Sequence, residues 1–391
     1  MDFELWYLVL VPLLFAAGWL CRGIDLRQHA DDGNAPEVYS KGVSLLLAGE
    51  TDKAIDAFIE AVRLDPERTE FHHVLGDLFR RRGEFERAIR LHRSLYNRAD
   101  ISKEERARAL KELAEDYIKA GFFDRAEAAF RRLSEEPSEH LYALRRLLGI
   151  YVTEHEWASA TETARLLETR AGENHTEEIA HFYCERIEGA VKAKRFEEAD
   201  LLVEKARSYF KATPRVGIAA GAARIAQGDV QGAVDIWHRT AEAFPDYLPI
   251  MVGPLADAMS KLGDKAGAVS LLKDACDSSR TIDAMEAALT RIAAWEGAPA
   301  AEEIAVKVLQ EHPSLSAFNA LVQLKSQADP NDEQTKLLAG LLGRHARRFS
   351  RYQCRKCGFL ASNFSWHCLG CGSWDSFPPR RIEDIKRRVR T

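Results

Sequence analysis

Four cysteines near the end of the chain carry its clearest chemistry. Cys354-Arg-Lys-Cys357-Gly is followed after ten residues by Cys368-Leu-Gly-Cys371-Gly. A CxxC turn sets two thiolates on one side of a knuckle, and the glycine after it permits the tight turn. Two such knuckles supply four tetrahedral ligands. The spacing predicts a structural site for one tetrahedral metal ion, iron or zinc, because sulfur ligation of this geometry suits both. All four positions are filled by protein, so no position is open to a substrate and metal catalysis is not expected. A redox dithiol pair is the competing reading. His367 and His345 lie close by, but with four cysteines present packing or solvent is expected for both.

The metal segment must be small, because its ten-residue interval is shorter than the usual zinc-ribbon separation. Phe359, Phe364, Trp366, Trp374 and Phe377 are dense for such a short stretch. They either form the core that about 30 residues otherwise lack, with the metal as staple, or make an exposed docking or base-stacking patch. Basic residues flank the knuckles: Arg344, Arg347, Arg348 and Arg351 before them, and Lys386-Arg387-Arg388 after. From Arg344 to Arg390 there are 12 lysines and arginines against Asp375, Glu383 and Asp384. The formal charge of −5 therefore conceals an acidic body and a basic tail. That tail could meet an anionic membrane leaflet, an acidic face of the chain's own body, or nucleic acid. The first two are favoured, and no nucleic acid is expected.

The elements that position this segment are helical. At a period of 34, Gly42, Gly49, Ala54 and Phe58 recur as Gly76, Gly83, Ala88 and His92. After a four-residue insertion they recur again as Ala114, Gly121, Ala126 and Phe130. The register continues through Ala160, Ala199, Ala233 (with Gly221, Gly228, Trp237 and Pro245), Ala268 and Ala301. Small residues are needed where two helices cross closely, a large residue fills the space beside them, and glycine ends the first helix. This is the tetratricopeptide pattern. About eight units are expected, with a weak ninth or capping pair, stacked into one superhelix. The first helices should line a concave binding face. In the second unit that face should carry Glu70, His73, Asp77 and Arg80, and in the fifth His181, Cys184, Glu188 and Val191. Glu70, His73, Asp77, Arg80, His181 and Glu188 are the candidate partner-binding residues.

At the other end, residues 5–21 form a 17-residue uncharged run, LWYLVLVPLLFAAGWLC. At 1.5 Å per residue it reaches about 25 Å, the short end of a membrane span. Trp6, Tyr7 and Trp19 stand at its ends, where amphipathic rings favour the interface. Asp2 and Glu4 replace the positive start of a signal peptide, and no A-x-A site follows. An uncleaved single-pass anchor is expected. Arg22 and Arg27 follow it with no basic residue before it, so the bulk of the chain should be cytoplasmic. The expected division is anchor 1–22, linker 23–34, repeats 35–345, metal domain 346–379 and basic tail 380–391. The sequence lacks a Walker loop, a dinucleotide glycine motif, G-x-S-x-G and H-E-x-x-H, so an enzyme is not expected.

The anchor, repeat array and four-cysteine ending together resemble the lipopolysaccharide assembly protein B family of Gram-negative bacteria. GDLFRRRGEFERAIRLH (76–92), EIAHFYCE (178–185) and YQCRKCGFLASNFSWHCLGCGSW (352–374) are similar to its characteristic segments. One departure is Leu369, where the family often carries proline. The resemblance implies an all-α tetratricopeptide superhelix with an N-terminal transmembrane helix and a small C-terminal rubredoxin-like metal domain docked on the array. It implies a bacterial inner-membrane adaptor, not an enzyme, that regulates lipopolysaccharide synthesis. Such a protein helps the membrane AAA+ metalloprotease FtsH degrade LpxC, the deacetylase committing precursors to lipid A, and serves as a scaffold for other lipopolysaccharide assembly proteins. Two rival classes are a rubredoxin-like electron carrier and a scaffold with a nucleic-acid-binding zinc ribbon.

Overall fold

The computed structural model describes residues 35–388 apart from 210–212, 280, 330 and 350. The expected anchor and linker, residues 1–34, lie outside the described residues. Among the described residues no helix is long and apolar enough to cross a membrane. The described residues divide into two compact units, 35–154 and 155–388.

The first unit is built from α1 (Ala35–Leu47), α2 (Thr51–Leu64), α3 (Thr69–Arg82), α4 (Phe85–Tyr96), α5 (Lys103–Lys119), α6 (Phe123–Leu133) and α7 (His140–Thr153). Successive helices pair because each repeat sets a small residue of the first helix against a large one of the second. A Cβ on Gly42 would stand 3.1 Å from the Phe58 ring, and one on Gly76 only 2.4 Å from the His92 ring. The first helices end on a left-handed residue, Gly49, Gly83 and Gly121, a conformation open to glycine without a Cβ penalty.

His92 fills the space that Phe58 and Phe130 fill elsewhere, and it is fully buried. A buried polar ring needs a partner. Asp116, on α5 and equally buried, supplies one: its Oδ2 lies 2.6 Å from His92 Nδ1. The other oxygen of Asp116 accepts from Arg80 Nη1 at 3.0 Å.

The second unit contains α8 (Trp157–Ala171), α9 (Thr176–Lys192), α10 (Phe196–Tyr209), α11 (Pro214–Gln227), α12 (Val230–Ala243), a 3₁₀ turn (Pro245–Tyr247), α13 (Leu248–Lys261), α14 (Lys265–Ser279), α15 (Ile282–Glu296), α16 (Ala298–Glu311), α17 (Leu315–Ala328) and α18 (Glu333–Phe349). The packing rule recurs here, since a Cβ on Gly221 would meet the Trp237 indole at 2.2 Å. Where glycine is absent from the end of a first helix the turn persists at a strain. His155 and Lys194 take the left-handed stop at φ 60° and 57°, each costing roughly 1–2 kcal/mol relative to glycine. Beyond α18 come β1 (Tyr352–Gln353), β2 (Leu360–Ala361) and α19 (Ile382–Arg388). The all-α repeat array with a small ribbon-like end is thus the fold that the residue pattern predicts.

Candidate metal centre and the face it covers

Each CxxC forms the same turn. Gly358 and Gly372 are left-handed at φ 78° and 68°. Their N–H groups close back on Cys354 O at 3.0 Å and Cys368 O at 2.8 Å. The first knuckle is carried by the β1–β2 hairpin, with Tyr352 opposite Ala361. The second is closed by a bridge between His367 and Trp374. The two knuckles face each other, with Cys354 and Cys371 Sγ 3.8 Å apart and Cys357 and Cys368 Sγ 3.7 Å apart.

All four sulfurs lie within 4.8 Å of one another. A tetrahedral ion with metal–sulfur bonds of about 2.3 Å requires sulfur separations of about 3.8 Å, so the donors fit one such ion. Cys354 and Cys368 are buried, whereas Cys357 and Cys371 are exposed, so one edge of the centre faces solvent. His367 is no ligand. Its ring lies 4.4 Å from that of Trp374, and Nε2 is 3.2 Å from Gly372 O. His345 is exposed on α18. Leu369 points into solvent, 83% exposed, so the missing proline disturbs no packing.

The aromatic residues supply the expected core, and two of them dock on the helices rather than standing as an exposed patch. Phe364 and Phe377 pack with Tyr352, Cys354 and Cys368 as a miniature core, while Trp366 and Trp374 reach out to the helices. Trp374 stacks on His181 of α9 at a centroid distance of 5.0 Å and an interplanar angle of 16°. It also meets Phe182 edge-on at 5.8 Å and Trp157 at 5.9 Å. Trp366 stacks on Tyr247 at 5.5 Å. Arg215, at the start of α11, lies beneath both indoles, its Cζ 5.8 Å from the Trp366 ring and 5.5 Å from that of Trp374. The guanidinium is almost fully buried and pairs with Glu185 at 2.5 Å and Glu188 at 3.2 Å. A desolvated cation between carboxylates and ring faces is among the stronger polar arrangements available. Burial, with Arg215 and His367 adding to it, pushes the His181 pKa down to about 3, so this histidine is a neutral stacking platform.

Charge also joins the two parts. Arg380 pairs with Asp246 at 3.0 Å. Arg381 pairs with Asp283 at 2.9 Å and with Glu286 at 2.7 Å. Tyr352 donates to Asp283 at 2.6 Å. The basic tail thus meets acids of the array, one of the expected destinations of its charge. Its two acids matter as well. Glu383 accepts from Leu315 N at 2.8 Å and from the Ser316 hydroxyl at 2.6 Å, and Asp384 accepts from Ile282 N at 3.3 Å. Both carboxylates therefore sit at helix N-termini, α17 and α15, where backbone N–H groups lack partners and the dipole favours an anion.

The candidate partner residues fall in different settings. Glu70 is exposed on α3. His73 is buried, and burial lowers its pKa to about 4. Arg80 is engaged inside the first unit, with Asp77 at 2.5 Å, Glu112 at 2.6 Å and Asp116 at 3.0 Å. Burial opposes its charge, but the hydrogen bonds it donates to Glu112 and Asp77 outweigh it and hold its pKa above the ordinary value. His181 lies under Trp374. Glu188 is exposed but bonded to Arg215. Cys184 is fully buried, which pushes its thiol up to about 12 and removes it as a nucleophile, and Val191 is half-buried. Arg215, Tyr247, Asp283, Glu383 and Asp384 were not legible as site residues. Each acts across a long sequence separation, and none belongs to a motif.

Comparison with known proteins agrees with this geometry. Residues 352–379 match the rubredoxin metal binding domain family, and residues 39–102 match the tetratricopeptide repeat family. The chain is similar to lipopolysaccharide assembly protein B of Escherichia coli strain K12, at 32% identity over 378 residues covering 95% of this chain and 97% of the relative. The likeness to lipopolysaccharide assembly protein B of Haemophilus influenzae is 30% over 386 residues, with the same coverage.

Proposed function

Because this chain belongs to the lipopolysaccharide assembly protein B family, we propose that it regulates lipopolysaccharide synthesis as an adaptor and scaffold without chemistry of its own. The observation that carries this reading is the closed four-cysteine centre seated on the helical array. Four protein thiolates leave a bound ion no position for substrate, and the indoles beside it grip α9 and α11. When bound, the metal supplies rigidity to the two knuckles. Cys354 and Cys368 tie it to the buried side, while Trp366 and Trp374 hold the domain against His181, Tyr247 and Arg215.

The finer reading is that the protein sits in the bacterial inner membrane through residues 5–21, with its bulk on the cytoplasmic side. There it promotes degradation of the deacetylase LpxC by the membrane protease FtsH. Confinement to the membrane plane raises the effective concentration of an adaptor beside a membrane protease. Glu70, exposed on α3, is proposed as part of the surface that meets a partner. In-cell photo-crosslinking from position 70, with mass spectrometry of the trapped proteins, tests this. Capture of the protease, the deacetylase or another lipopolysaccharide assembly protein is expected. Capture of none of them, together with an unchanged LpxC lifetime on depletion of this protein, sinks the reading.

A further inference from the structure

The last helix of the array ends on a face that nothing in the described residues covers. The inner side of α18 is small and packed: Ala339 and Ala346 are buried, and Gln323 of α17 donates to Ala339 O at 3.1 Å. A Cβ on Gly343 would lie 3.6 Å from Asn319 of the same helix. The opposite side carries Leu337, Leu338 and Leu341 at 65%, 50% and 40% exposure. Arg344 and Arg348 continue that side toward the C-terminus, both exposed. Neither has an ion-pair partner among the described residues, in contrast to Arg291, Arg380 and Arg381 of the same unit. From Gln334 to Phe349 the helix contains no acidic residue at all.

Leucines and arginines on one face, opposite a packed face, form the composition of a helix lying in a membrane interface. The apolar side chains enter the acyl boundary while arginines extend to headgroup phosphates. An acidic protein partner would also attract the arginines, but it would leave three adjacent leucines to be matched separately. The sequence supplies its own reason to expect a bilayer within reach, the uncharged run at residues 5–21 followed by Arg22 and Arg27.

We propose that the outer face of α18, through Leu337, Leu338, Leu341, Arg344 and Arg348, rests on an anionic lipid surface. It forms a second membrane contact far along the chain from the N-terminal segment.

The test uses the full chain in lipid nanodiscs, with Leu341 replaced by the photo-crosslinker p-benzoylphenylalanine and, as control, the same replacement at exposed Glu303 of α16. In discs of equal phosphatidylglycerol and phosphatidylcholine, illumination should add a lipid mass at position 341 and not at 303. In phosphatidylcholine discs the adduct should fall steeply. The double substitution Arg344→Gln/Arg348→Gln should reduce it about tenfold or more, since each cation near an anionic surface is worth roughly a fivefold change. An adduct indifferent to lipid charge, an adduct to a second copy of the chain, or no adduct at 341 would each overturn the proposal. None of these results bears on the adaptor reading.

Discussion

Trp374 lies flat on His181, ring centroids 5.0 Å apart, although 193 residues separate them in the chain. One residue comes from a metal knuckle and the other from a repeat helix, so this stack joins the two kinds of structure in the molecule.

Trp374→Ala removes contacts to His181, Phe182, Trp157 and Arg215 together. A loss of about 3–5 kcal/mol is expected, as for other buried tryptophans cut to alanine. Hydrogen exchange over Thr176–Lys192 should rise while the first unit, residues 35–154, stays unchanged. Equal protection in both proteins would mean that the stack does not hold the domain down.

Metal content should be one ion per chain, lost in Cys354→Ser/Cys357→Ser. Removing it should unfold residues 351–379 while leaving most helical circular dichroism intact, because the array's helices do not depend on the knuckles for their hydrogen bonds. A colourless zinc protein would exclude electron transfer, whereas a visible thiolate–iron spectrum with reversible reduction would favour it.

Acid should loosen the second unit before carboxylate titration dominates. His181 has a folded pKa of about 3, below the ordinary value of about 6.5. The unfolded chain therefore binds its proton first, and the neutral-ring stability present above pH 6.5 declines as pH falls toward 3. Between pH 6.5 and 5 the loss is about 2 kcal/mol. His181→Phe keeps a ring under Trp374 and should flatten that slope in chemical denaturation. An unchanged slope would assign the acid sensitivity elsewhere.

Two glycines in helices should respond in opposite directions. Gly76→Ala drives a methyl into the His92 ring, which Asp116 holds in place, and should cost about 1–3 kcal/mol. Gly149 on α7 has open space around it, so Gly149→Ala should stabilise by about 0.5–1 kcal/mol. Thermal unfolding of the two variants compares them directly. A neutral Gly76→Ala would show that the first repeat interfaces are looser than they look.

Glu383→Ala removes the acceptor for Leu315 N and Ser316, and should cost about 1 kcal/mol, the scale of a lost helix cap. Exchange at the first turn of α17 should quicken, and Glu383→Gln should restore part of the protection because its amide oxygen still accepts. Identical exchange in the alanine variant and the parent would leave the tail without a capping role.

The metal ligands, the knuckle turns and the repeat were legible in the sequence because their physics is local. A CxxC-Gly closes within five residues, and a small residue opposite a large one recurs at Gly42 and Phe58, Gly76 and His92, and Gly221 and Trp237. The charge split also pointed the right way, since Arg380 and Arg381 do meet acids of the array. The tertiary structure decided which face of which helix receives the metal domain. Periodicity makes the repeats look alike, and only the matching of Trp366 and Trp374 to His181, Tyr247 and Arg215 picks one. It also decided that Arg80 and Asp77 bond inside the first unit, and that two acids in a basic tail cap helix ends more than 60 residues away. Such roles depend on unpaired backbone groups and desolvated charges, which exist only once the chain has folded around them.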